Sequence, residues 1–205
     1  MHDVAVYLGP SLHPNDARAI LDAEYLPPIR RGDLAKLPVE TKVVGIVDGE
    51  FFQSLAVSPR EILPLLERGV TVFGAASMGA MRAVEAEPNG MIGVGEIFRM
   101  YQDGTIDGDD EVALIYDSET YRNLSVPLVN IRNALELAVA EDVIGPETAI
   151  DILIELKKLY FPLRSFDRVV ALAPHVKAFL HERKPDLKRA DTLQLLHQIA
   201  QLGRY

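Results

Sequence analysis

In the stretch VTVFGAASMGAMRA, residues 70–83, Ser77 stands where a β-branched run gives way to helical spacing. Ala75 lies two residues before it and Gly79 two after. A serine at a strand-to-helix turn with small neighbours at that distance has the spacing of a nucleophile elbow, with alanine in place of the first glycine. The helix start would aim backbone N–H groups and a partial positive charge at an oxyanion beside the hydroxyl. Three chemistries fit the pattern: a nucleophile, a ligand for a bound anion, or a plain helix N-cap.

A nucleophilic serine needs a base. The five histidines are His2, His13, His175, His181 and His197, and none stands in a triad context. His13 lies near the first strand tip and also reads as a loop histidine. Asp48, closing the run KVVGIVD, is better placed. It could act as base, orient water or hold a cation, or it could be the turn aspartate of an Asp-Gly pair. Ser77 and Asp48 are therefore the candidate catalytic residues. Gly9 and Ser11 of GPSL, Gly49 after Asp48, and Met78 and Arg82 after Ser77 are candidate substrate-binding residues. Arg31 and Asp33 join them from YLPPIRRGDL (25–34), where Pro27-Pro28 enforces an extended backbone that makes either a lid or a connector.

The acidic segment DGTIDGDDEV (103–112) lacks the glutamate that closes a calcium loop, with Leu114 at the twelfth position. Asp109, Asp110 and Glu111 remain weak magnesium candidates against the reading of a solvated acidic turn. No Walker A pattern exists, and Gly93-Val94-Gly95 follows no recognisable strand. No cofactor is expected.

These residues must be positioned by the elements around them. The runs VAVYLG (4–9), KVVGIVD (42–48) and VTVFGA (70–75) read as buried parallel strands, each followed by a helical pattern. Their carboxyl-terminal tips then share one sheet edge, where ligands bind in open α/β sheets. SPREILPLLERG predicts a helix with Ser58 as N-cap, Glu61 closing a capping box and Gly69 as C-cap, with a kink allowed at Pro64. Helices are predicted over 78–87 and through EIFRMYQDG, and EVALIY (111–116) reads as a fourth strand. Beyond residue 119 the spacing is helical. Leu128, Ile131, Leu135 and Ala138 line one face, and Ala149, Leu153, Leu156 and Tyr160 another. Gly145-Pro146 separates two helices, and Leu195, Ile199 and Leu202 mark a last one. The expected fold class is α/β: a parallel sheet with flanking helices in the N-terminal half, followed by an all-helical C-terminal half. The expected division is 1–118 and 119–205.

The chain of 205 residues contains no cysteine, which excludes disulfides, thiolate metal sites and thiol or persulfide chemistry in it. Residues 1–118 carry a net charge of −10 and residues 119–205 of +1. An acidic half is a poor match to a phosphate backbone, so no nucleic-acid partner is expected. HERKPDLKR reads as a solvated helix face. No apolar run reaches membrane-spanning length, and the start MHDVAVYLG has no basic n-region, so a cytoplasmic protein without a membrane partner is expected.

GPSL, YLPP…RRGDL, VGIVDGEF, AVSPREIL, GVTVFGAASMGAMRA, GMIGVGEIF and DDEVAL together resemble the TfuA-like core domain in order and spacing, over roughly residues 5–116. Members often carry His-Lys where this chain has Pro59-Arg60, so a role tied to that histidine does not transfer. The resemblance implies an accessory protein that acts with YcaO enzymes, which use ATP to convert a peptide amide into a thioamide. Such proteins occur in thioamide-peptide pathways and with thioglycine modification of methyl-coenzyme M reductase. The implied partners are a YcaO enzyme and a thiocarboxylated ubiquitin-like sulfur carrier; assembly into a homo-oligomer is left open. The implied role is sulfide release from the carrier, by attack of Ser77 or of water on its acyl carbon. A non-catalytic adaptor is the alternative, and a small-anion or nucleotide binder a third.

Overall fold

The computed structural model describes residues 3–51 and 55–203. The three β-branched runs form β1 (Val4–Tyr7), β3 (Val43–Ile46) and β4 (Thr71–Ala75). Two three-residue strands escape the sequence pattern: β2 (Glu24–Leu26) and β5 (Ile92–Val94). Short edge strands carry too few residues to show a periodicity. All neighbours pair in parallel in the order β2-β1-β3-β4-β5. Tyr7 faces Ile46, and Ile46 faces Gly74, so the ends of β1, β3 and β4 emerge together on one edge. In this doubly wound order the strand sequence reverses between β1 and β3, which makes that crevice the topological switch point.

The helices follow as the parallel connections require. They are α1 (Pro14–Arg18), α2 (Pro59–Glu67), α3 (Met78–Ala86), α4 (Glu96–Gln102), α5 (Leu128–Ala140), α6 (Pro146–Lys157), α7 (Phe166–Leu172), α8 (Lys177–Arg183) and α9 (Leu187–Leu202). The box at α2 forms as read. Ser58 accepts from the Arg60 N–H, Glu61 accepts from the Ser58 N–H at 2.8 Å, and the helix runs through Pro64. Arg68 is the C-cap, and Gly69 follows it at φ +79°, where the absence of a Cβ removes the steric penalty.

The chain forms two compact units, Met1–Asp107 with Lys188–Tyr205, and Gly108–Leu187. In the first, Val6, Phe73 and Ala75 pack with Ala17 and Leu21 and with Leu195, Leu196 and Ile199 of α9. Gly45 lacks a Cβ where Leu195 and Ile199 would meet one at 3.2 Å. On the opposite face α3 lies so close to β3 and β4 that a Cβ on Gly79 would overlap the Ile46 carbonyl, and one on Gly74 the Gly79 carbonyl. The small residues of GAASMGA thus let a helix seat on two strands.

In the second unit Leu128, Ile131, Leu135 and Ala138 join Ile152, Leu156, Val169 and Phe179 in one core. Two expectations are corrected here. Tyr160 is 68 % exposed rather than on the buried face of α6, because the helix ends at Lys157 and the chain turns away. EVALIY is not a strand. Asp109–Glu111 winds into a 3-10 turn, and Tyr116 meets Asn123 in an isolated antiparallel bridge. The Ile115 N–H goes to the Ser125 hydroxyl, 2.9 Å, leaving local turns rather than a sheet to satisfy this backbone. Among the described residues no helix is long and apolar enough to cross a membrane.

Candidate functional site

The turn out of β4 is strained one residue before the serine. Ala76 has φ 63°, and the Ser77 N–H donates to the Ala75 carbonyl at 2.7 Å. This is a γ-turn of the rare hand, disfavoured for a residue with a Cβ. In the elbow pattern the nucleophile itself occupies the strained position; here Ala76 does, and Ser77 follows at φ −121°. Ser77 is the N-cap of α3, but its side chain makes no capping hydrogen bond. Of the first amides of α3, that of Gly79 donates to the Val47 carbonyl at 3.1 Å and that of Ala80 to the Ser77 carbonyl. The Met78 N–H, next to Ser77, has no acceptor among the described residues. A hydroxyl that does not cap its helix and an adjacent N–H without an acceptor among the described residues therefore sit at the positive end of α3. The residue is only 1 % exposed.

Asp48 has a different character. Its Oδ2 accepts from the Gly9 N–H (2.9 Å) and the Ser11 N–H (3.0 Å), and its Oδ1 from the Ser11 hydroxyl (2.6 Å). Lys188 Nζ stands 3.7 Å from Oδ1, and Ser11, Asp48 and Lys188 are each at most 4 % exposed. A carboxylate holding three donors and facing a buried cation latches the β1 tip to the β3 tip. The same latch accounts for Gly9 and Ser11.

The segment after β2 crosses the switch point. Ile29 pairs in parallel with Gly49, donating its N–H to the Asp48 carbonyl (2.9 Å) and accepting from the Glu50 N–H (3.1 Å). Gly49 must lack a side chain, since a Cβ would lie 2.7 Å from Met78 Cγ and 2.9 Å from Ile29 Cγ2. Met78, 1 % exposed, is thus a packing residue by its side chain. Asp33 closes the following turn, accepting from the Arg30 N–H at 2.8 Å and pairing with Lys36. Arg30 reaches Glu50 at 3.3 Å, and the exposed Arg31 donates its N–H to the Leu55 carbonyl. Arg82 donates from its Nε to the Val57 carbonyl (2.8 Å) and pairs through its guanidinium with Glu85.

The other candidates are dispersed. His13 caps α1, its Nδ1 accepting from the Asn15 N–H at 3.2 Å, and His175, His181 and His197 are exposed; His2 lies outside the described residues. Asp110 pairs with the buried Arg164 at 2.5 Å, and Glu111 with Arg132 at 2.9 Å and Lys157 at 3.5 Å. Among the described residues no three ligand-type side chains gather as a metal site requires.

Sequence reasoning missed the contribution of α9. HERKPDLKR is not wholly a solvated face: Lys188 is 2 % exposed. Asp191 is 3 % exposed and accepts from the N–H groups of Glu96 (3.0 Å) and Ile97 (2.8 Å), capping α4 from across the unit. Gly95 precedes that helix because a Cβ there would overlap the Asp191 carboxylate. Burial pushes this carboxyl up to about 6, against the pull of the two amides. The only sequence signal was two charges three residues apart on the side of α9 that turns apolar at Leu195. A family model described as TfuA-like protein matches residues 48–165, which is 118 of the 205 residues, and no curated protein matches the chain.

Proposed function

Because the chain belongs to the TfuA-like family, which is associated with YcaO-type thioamidation, we propose that it releases sulfide from the thiocarboxylated C-terminus of a ubiquitin-like carrier for a YcaO enzyme. The observation that carries this reading is the pair at the start of α3: a Ser77 hydroxyl that does not cap its helix and a neighbouring Met78 N–H without an acceptor among the described residues. In the proposed reaction Ser77 Oγ attacks the acyl carbon, and the Met78 N–H and the helix dipole hold the oxyanion. The C–S bond breaks, hydrosulfide leaves, and water cleaves the acyl-serine. The sum is thiocarboxylate plus water giving carboxylate plus hydrogen sulfide. Hydrosulfide is a good leaving group, so no strong general acid is required. His13 caps α1, His175, His181 and His197 are exposed, and Asp48 holds three donors, so in this reading substrate or solvent takes the serine proton. Strain at Ala76 fits a site held in a fixed, uncommon geometry. The 1 % exposure of Ser77 requires that carrier binding uncover it.

That burial favours a second reading, an adaptor that docks carrier or peptide on YcaO without chemistry of its own. One experiment separates them. Thiocarboxylated carrier is incubated with wild type and with Ser77→Ala, and sulfide and carrier mass are followed. Sulfide release expects turnover by wild type alone and a loss of about 10²-fold or more in Ser77→Ala. Equal rates for the two proteins would remove the serine. Turnover that begins only when YcaO is added would establish the adaptor.

A further inference from the structure

The strand-tip edge receives two buried charges from a helix far along the chain. Lys188 and Asp191 lie three residues apart in the first turns of α9, and with Thr192 each is at most 3 % exposed. A helix face seated on a sheet is ordinarily apolar, and α9 becomes so only at Leu195, Leu196 and Ile199. Burying either charge without a partner is strongly disfavoured. Lys188 Nζ stands 3.7 Å from Asp48 Oδ1. Asp48 in turn holds the Gly9 N–H, the Ser11 N–H and the Ser11 hydroxyl. Asp191 ties the same turn of α9 to the start of α4 through the Glu96 and Ile97 amides.

We infer that Lys188 is a positioning residue of the strand-tip site, acting through Asp48 on the Gly9–Ser11 turn, with Asp191 anchoring the helix that carries it. The buried Asp48 carboxylate holds that turn through three donors, and Lys188 supplies the counter-charge beside it that keeps it in place. Both α9 residues lie outside the part of the chain that the family comparison matches. The switch-point crevice is where an open α/β sheet takes its ligand, so the Gly9–Ser11 turn is placed to meet the carrier's extended C-terminus. That last step rests on the proposed function; the positioning itself does not.

The test is amide hydrogen exchange by NMR on the full chain without carrier, comparing wild type with Lys188→Met, a neutral side chain of similar length. The expected result is exchange about tenfold faster at Gly9 and Ser11, with Val44 and Val72 in the centre of the sheet unchanged. Lys188→Arg, which keeps the charge, should restore slow exchange at both amides. Unchanged exchange at Gly9 and Ser11 would overturn the inference, as would acceleration that is equal throughout the sheet. If Lys188→Met does not fold, Lys188→Gln is compared with Lys188→Arg and the same outcomes decide. In carrier turnover Lys188→Met should raise KM about tenfold while kcat stays within about twofold of wild type. Altered exchange in a protein whose wild type turns over no carrier would leave the positioning intact and remove the sulfide-release reading alone.

Discussion

The residues singled out by type divide by what surrounds them. Ser77 keeps a hydroxyl that does not cap its helix, whereas Asp48 is engaged by Gly9, Ser11 and Lys188. Spacing along a chain shows which side chains stand at strand ends, but not which of them already have partners. Asp191 provides a residue-scale prediction. Its carboxyl is raised to about 6 from an ordinary 3.8, chiefly by burial. The folded protein therefore binds this proton more tightly than the unfolded chain, and the stability it contributes is present below about pH 4 and lost as pH rises through about 6. The carboxyl carbon of Asp191 should titrate by NMR with a midpoint well above the other aspartates. The melting temperature of wild type relative to Asp191→Asn should fall between about pH 4 and about pH 7. A midpoint near the ordinary value would show that the two α4 amides outweigh the burial.

At the scale of elements, local rules were read correctly wherever a helix or strand was long enough to carry its own signal. Ser58 and Glu61 announced α2, and the β-branched runs announced β1, β3 and β4. β2 and β5 carried none, and EVALIY had strand composition yet forms a 3-10 turn at its start and an isolated bridge from Tyr116 to Asn123. Glu61 does more than its local box. Its second oxygen accepts from the Gly32 N–H at 2.6 Å, tying the start of α2 to the segment that crosses the switch point. Glu61→Ala should destabilise the protein by about 1–3 kcal/mol, more than a simple cap, since two backbone donors lose their acceptor. Glu61→Gln, which keeps one carbonyl oxygen, should lose less. Urea unfolding of the three proteins measures this, and equal midpoints would mean that water replaces the carboxylate at no net loss.

At the scale of the whole molecule, the sheet unit is closed by a helix that begins some eighty residues after its other parts end. α9 covers Val6, Phe73 and Ala75 with Leu195, Leu196 and Ile199. A chain ending at Asp186 should therefore lose near-ultraviolet circular dichroism and bind a hydrophobic dye while retaining much of its helical signal. Cooperative melting near the wild-type temperature would show that α9 is dispensable to the sheet.

The α/β class, three of the five strands, the helix after Ser77 and the family were all legible in the sequence, because each rests on local spacing or on residues adjacent in the chain. The strand order, the burial of Ser77, the latch on Asp48 and the return of α9 were decided only in three dimensions. They depend on which buried charges and backbone groups find partners across long loops, and pairings of that kind leave no periodic trace in a single chain.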